Sequence, residues 1–165
     1  MFYLEKIFNA LVLYHYNMRA LHWKIKGLAF DDKHDLAKGY YEKFDDLIDE
    51  VAEILLMLDG SPKDLNTIIK SIEQDTTEYL LVSCEKDAYY TEEQMLVSIQ
   101  KMLEHLLALY TNADKDESIP SDVRSKLEEH MYYFRLECDY KGKNRLIPNQ
   151  LPVQTAPIVT NTVVR

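Results

Sequence analysis

The chain has 165 residues, a hydrophobic fraction of 47% and only 4 Gly and 5 Pro, which suits one helix-rich domain with a full core and excludes a disordered or collagen-like chain. Its 28 acidic residues against 19 basic ones give a formal net charge of −9, a surface that repels nucleic-acid phosphates and attracts metal cations. Two cysteines, Cys84 and Cys138, make neither a disulfide framework nor a metal-binding spacing, and no apolar run approaches membrane-spanning length.

The apolar stripe Leu4, Ile7, Phe8, Leu11, Val12, Met18, Leu21 predicts a first helix over residues 3–26, with Gly27 as the residue that ends it. His15 and His22 nearly share a face of this helix, and His15 reads as a core or interface polar group. The start, Met1-Phe2-Tyr3-Leu4-Glu5-Lys6, has no basic region leading into an apolar run, so no secretory signal is expected and a reducing cytoplasm is the simplest compartment. Asp31 or Asp32 can cap a second helix that runs to about Leu58 on the stripe Leu36, Tyr40, Phe44, Leu47, Ile48, Val51, Ile54, Leu55, Leu58. Asp59-Gly60-Ser61-Pro62 stops it. Gly39 inside it is a candidate for close approach of another backbone.

Residues 63–90 are ambiguous. Leu65, Ile68, Ile69 and Ile72 predict a short helix, and Thr76–Ser83 either a further one or its continuation. Thr91-Glu92-Glu93-Gln94 opens a third main helix with acids where the helix dipole favours them. Met95, Ile99, Met102, Leu103, Leu106, Leu109 and Tyr110 carry it to about Asn112. An acidic loop follows, and a last helix from near Pro120 to Lys141 carries Val123, Leu127, Met131, Phe134 and Cys138 on its core face, closed by Gly142. The fold class is therefore all-α, with residues 1–141 as a four-helix bundle. Residues 142–165 hold three of the five prolines, three of the 19 basic residues and none of the 28 acids, and read as an extended or disordered tail.

Within this frame one stretch carries chemistry. Leu21-His22-Trp23 precedes Gly27; His34 follows twelve residues after His22; Asp49 and Glu53 stand at i and i+4 on the second helix and share a face. Imidazole with carboxylate suits iron, manganese or zinc, although the same carboxylate spacing is common on solvated helix faces.

The order of these residues resembles the Dps family, the mini-ferritins of the ferritin-like superfamily. The resemblance runs as a helix pattern over residues 3–141 and is specific across 21–60. It implies a ferritin-like bundle with a short extra helix in the long connection between the second and third main helices. It implies iron as the metal, with His22, His34, Asp49 and Glu53 forming a ferroxidase centre shared between two subunits, histidines from one and carboxylates from the other. A homo-oligomeric cage of twelve chains would oxidise Fe(II) with hydrogen peroxide or dioxygen and store the ferric mineral, limiting oxidative damage. Trp23 is then either an electron donor or an aromatic anchor at the helix end. Asp114, Asp116, Glu117 and Asp122 either line a negative entry pore or form a solvated loop with helix-start acids.

The chain departs from the family at Lys38, where an Asp four residues after the second histidine commonly helps bind a second iron. A charged Lys has no lone pair to offer. Two other functions stay open: a DNA-binding protective shell using the basic tail, and a metal-binding cage whose oxidation Lys38 impairs. DNA binding is the less expected, because the lysine-rich N-terminal tail many family members use is missing and the C-terminal tail carries only Lys143, Arg145 and Arg165.

Overall fold

A computed structural model describes residues 1–28, 30–74 and 79–142. The helices are α1 (Phe2–Lys24), α2 (Phe30–Met57), α3 (Leu65–Gln74), α4 (Glu92–Asp114) and α5 (Ser121–Arg135), and α5 passes into a π-helical segment, Leu136–Gly142. No strand occurs among the described residues. Helices α1, α2, α4 and α5 form the bundle, and the short α3 lies in the long connection, as the sequence predicts.

The predicted stripes are the core. Leu4, Ile7, Phe8, Leu11, Met18 and Leu21 of α1 are buried, and so are all seven predicted residues of α4 and all five of the last helix. Tyr40, Phe44, Leu47, Val51, Ile54 and Leu55 represent α2. Phe44 packs against Phe134 with ring centroids 6.2 Å apart, joining α2 to α5. Helix α1 also buries Asn9, Ala10, Asn17 and Ala20, so it is covered on more than one face by α2 and α4.

Several boundaries differ from the sequence reading, each for a local reason. Helix α1 ends at Lys24, because Ile25 turns extended and pairs with Tyr90: the Tyr90 N–H donates to the Lys24 carbonyl at 2.9 Å and the Lys26 N–H to the Tyr90 carbonyl at 3.0 Å. Gly27 lies beyond the helix end with φ +135°, a conformation that favours glycine. Asp31 and Asp32 sit in the first turn of α2 rather than before it.

Tyr79–Ser83 are not helical, and Asp75–Glu78 lie outside the described residues. Buried Asn17 of α1 takes the backbone groups that a helix would have used. Its amide donates to the Leu80 carbonyl at 2.6 Å and its oxygen accepts the Val82 N–H at 3.2 Å. Thr91 caps α4 through a reciprocal box with Gln94, and the helix runs two residues beyond Asn112, so Asp114 belongs to its last turn and not to the loop. At Gly39 an added Cβ would meet nothing within 4 Å among the described residues, so the chain's own fold gives no reason for a glycine there. The expected tail, residues 142–165, lies outside the described residues beyond Gly142.

Candidate metal centre

His22 stands in the last turn of α1 and His34 in the second turn of α2. The short α1–α2 connection brings them face to face. Their rings stack with centroids 3.5 Å apart and planes 25° from parallel. The Nδ1 of His22 lies 2.9 Å from the main-chain oxygen of His34, and the Nδ1 of His34 lies 2.8 Å from the main-chain oxygen of His22.

A carbonyl oxygen only accepts, so each Nδ1 must carry the proton. In the neutral ring this tautomer leaves the lone pair on Nε2, the nitrogen that can then ligate a metal. One of the two carbonyls belongs to the last turn of α1, where helix geometry leaves carbonyls without helical partners. Phe30 stacks on His34 at 5.0 Å and Tyr41 meets His22 edge-on at 5.5 Å, so aromatic walls hold the pair in register.

Asp49 and Glu53 are exposed and one turn apart on α2. Fifteen residues separate His34 from Asp49, which at 1.5 Å per residue is about 22 Å along the helix. Within one chain the two predicted halves cannot share an ion, and among the described residues no three His, Cys, Asp or Glu side chains converge. The donor types fit iron, but one chain brings together only the two histidines.

Lys38 is exposed, and its Nζ lies 3.7 Å from Glu42 one turn further along α2, on the side away from His34. Trp23 is 55% exposed near the end of α1. In the predicted pore group, Asp116 is spent on its own loop: its Oδ1 accepts from the Ser118 N–H at 3.0 Å and from the Ser118 hydroxyl at 2.6 Å. The hydroxyl bond is the main reason its carboxyl is held below the usual carboxylate range. Glu117 and Asp122 are exposed.

Sequence reasoning missed three polar networks. His130, buried in α5, sets its Nε2 2.6 Å from Glu50 Oε2 and its Nδ1 3.1 Å from the hydroxyl of buried Tyr110. The Tyr14 hydroxyl reaches His105 Nδ1 at 2.6 Å. Buried Glu137, in the π-helical segment, accepts from Tyr40 at 2.6 Å and from Lys141 at 2.7 Å. The one available signal for His130 was its register, three residues from Leu127 and four from Phe134 on the core stripe.

A family model described as a ferritin-like domain matches residues 3–116. The chain belongs to the ferritin-like family. The DNA protection during starvation protein of Streptococcus suis is 24% identical over 138 residues, covering 78% of this chain and 77% of that protein. The DNA protection during starvation protein 2 of Bacillus anthracis is 26% identical over 121 residues, covering 69% and 79%. Among solved structures, Mycobacterium smegmatis Dps superposes with TM-score 0.73 at 21% identity, covering 89% of this chain and 85% of that one. Helicobacter cinaedi CAIP does so with TM-score 0.75 at 20% identity, covering 88% and 97%. The Dps resemblance read from residues 21–60 thus agrees with the relatives found over most of the chain, and the fold class is the expected ferritin-like bundle. No described helix is long and apolar enough to cross a membrane.

Proposed function

We propose that this ferritin-like protein takes up Fe(II), oxidises it with hydrogen peroxide or dioxygen, and stores the ferric product inside a homo-oligomeric cage, of twelve chains as the Dps resemblance implies, in a reducing cytoplasm. The observation that carries the reading is the reciprocal His22–His34 pair. Two imidazoles fixed in one tautomer, each by the other's main chain, form a preorganised nitrogen face with both Nε2 lone pairs available. Asp49 and Glu53 supply the anionic oxygens that stabilise the higher charge of iron(III) and so favour loss of an electron from iron(II).

The separation of the two halves supports a site built by two chains. A two-fold axis crossing α2 midway between His34 and Glu53 sets two copies of α2 antiparallel. Each histidine pair then faces the partner's acids, and one dimer holds two sites. Peroxide consumed with iron(II) removes both reactants that would otherwise make hydroxyl radical. The net charge of −9 favours cation entry over phosphate binding, which ranks DNA binding below iron uptake.

The test is iron oxidation by the assembled protein. His22→Ala, and separately Asp49→Ala with Glu53→Ala, should each abolish tight Fe(II) binding while leaving helix content and particle size unchanged. A double carboxylate variant that oxidises iron at the native rate would defeat the site assignment. Light scattering that finds only monomer at micromolar protein would defeat the shared site and the cage together.

A further inference from the structure

The His130 network joins the core to the helix that carries the proposed acids. Glu50 is the residue after Asp49 and lies three before Glu53 on α2, and it holds His130 Nε2 at 2.6 Å. With the carboxylate accepting from Nε2–H, the neutral ring has its Nδ1 lone pair turned to the Tyr110 hydroxyl at 3.1 Å. Tyr110 is fully buried, with Phe134 stacked on its ring at 5.3 Å. Burial, then the Glu50 charge, push its phenol well above the ordinary tyrosine range, so the resting side chain keeps its proton. A buried phenol that loses an electron must lose that proton in the same event, and His130 Nδ1 is positioned to take it.

We propose that Tyr110 is an internal one-electron donor to the oxidation reaction, with His130 as its proton acceptor and Glu50 as the group that orients His130. This rests on the ferroxidase reading above and deepens it. Reduction of hydrogen peroxide to two waters consumes two electrons and two protons. Where a site holds a single iron(II), the metal supplies one electron and becomes iron(III), and Tyr110 supplies the other and becomes a neutral tyrosyl radical. The Tyr110 proton passes to His130, and solvent provides the two protons that end in water. A later iron(II) returns an electron to Tyr110, which recovers its proton from His130. Without that second electron, one-electron reduction of peroxide releases hydroxyl radical. The Tyr14–His105 pair makes a similar bond between α1 and α4, and it serves as the control.

The experiment adds one Fe(II) per site and then hydrogen peroxide to the assembled full-length protein. Freeze-quenched samples are read by electron paramagnetic resonance, spin-trapped hydroxyl radical is measured in parallel, and iron oxidation is followed in the same samples. The native protein should give a tyrosyl signal that Tyr110→Phe removes, with several-fold more hydroxyl adduct. Tyr14→Phe should keep the signal, and His130→Gln should shift its g-values through loss of the hydrogen bond. If Tyr110→Phe fails to assemble, 3-fluorotyrosine at position 110 should split the native signal instead. Iron oxidation with no tyrosyl signal, or with one that survives Tyr110→Phe or ignores the fluorine label, overturns the proposal alone. No iron oxidation by the native protein overturns the ferroxidase reading and this proposal with it.

Discussion

Lys38→Asp is the substitution with the largest expected gain of function, because it reverses a charge one turn from His34. A unit positive charge held about 4 Å from a bound cation costs on the order of 4 kcal/mol at an effective dielectric of 20, nearly three decades in affinity. The structure lowers that ceiling, since the Lys38 ammonium sits 3.7 Å from Glu42 and half in solvent. Exposed pairs of this kind are worth roughly 0.2–1 kcal/mol, so Glu42 draws Lys38 away from His34 only weakly and the side chain retains its reach. In bulk water the same separation of about 4 Å costs only about 1 kcal/mol, so with Lys38 half in solvent the penalty on a second iron falls between about 1 and 4 kcal/mol, from about fivefold to about a thousandfold. Anaerobic Fe(II) titration by calorimetry should therefore give about one tight iron per histidine pair in the native protein and a second, tighter event in Lys38→Asp. Lys38→Met, which removes the charge without adding a ligand, should fall between them. Two equally tight irons per site in the native protein would refute the reasoning, as would a Lys38→Asp titration that still stops at one.

Phe44→Ala should destabilise the bundle by about 3–5 kcal/mol, the usual cost of emptying a fully buried aromatic site, because Phe44 joins α2 to Phe134 of the last helix; a loss below about 1 kcal/mol in chemical denaturation would contradict that packing account. Neutralising Asp114, Glu117 and Asp122 together should slow iron uptake more at low salt than at high salt if these acids steer cations, and an uptake rate independent of ionic strength would return them to solvated-surface residues. Burial holds the His15 imidazole below the ordinary histidine range, outweighing the opposing pull of Asp45. The unfolded chain then takes up the His15 proton first on acidification. The stabilising contribution falls as pH drops below the unfolded value and levels off once folded His15 is also protonated. His15→Gln should flatten the dependence of melting temperature on pH between about 7 and 5, and an unchanged slope would show that His15 contributes nothing to it.

The fold was legible where burial follows a helical period. Every apolar residue assigned to the cores of α4 and the last helix is buried, because an amphipathic helix in a bundle turns its apolar stripe to the core. What escaped depends on partners far away in sequence. The end of α1 is decided by Tyr90, and the course of Leu80–Val82 by Asn17, neither of which a local window contains. The site divides in the same way. His22, His34, Asp49 and Glu53 stand out by type and spacing, but the reciprocal hydrogen bonds from each Nδ1 of His22 and His34 to the other's main-chain oxygen are tertiary, as is the network that ties His130 to Glu50 across 80 residues. Tyr110 was visible only as a core aromatic. The proposed division of the site between two chains came from the family resemblance, and the length of α2 between His34 and Asp49 gives a physical reason to propose it.

Subunit complementation tests the shared centre most directly. One variant carries His22→Ala with His34→Ala, and the other Asp49→Ala with Glu53→Ala; each alone should be inactive in Fe(II) oxidation. Unfolded together in equal amounts and reassembled, they should pair at random, so that half the dimers are mixed. Each mixed dimer holds one complete site of two, made from the histidines of one chain and the carboxylates of the other. The account predicts about a quarter of the native oxidation rate in the reassembled mixture, and a mixture of intact, correctly sized particles that stays as inactive as its parents would contradict it.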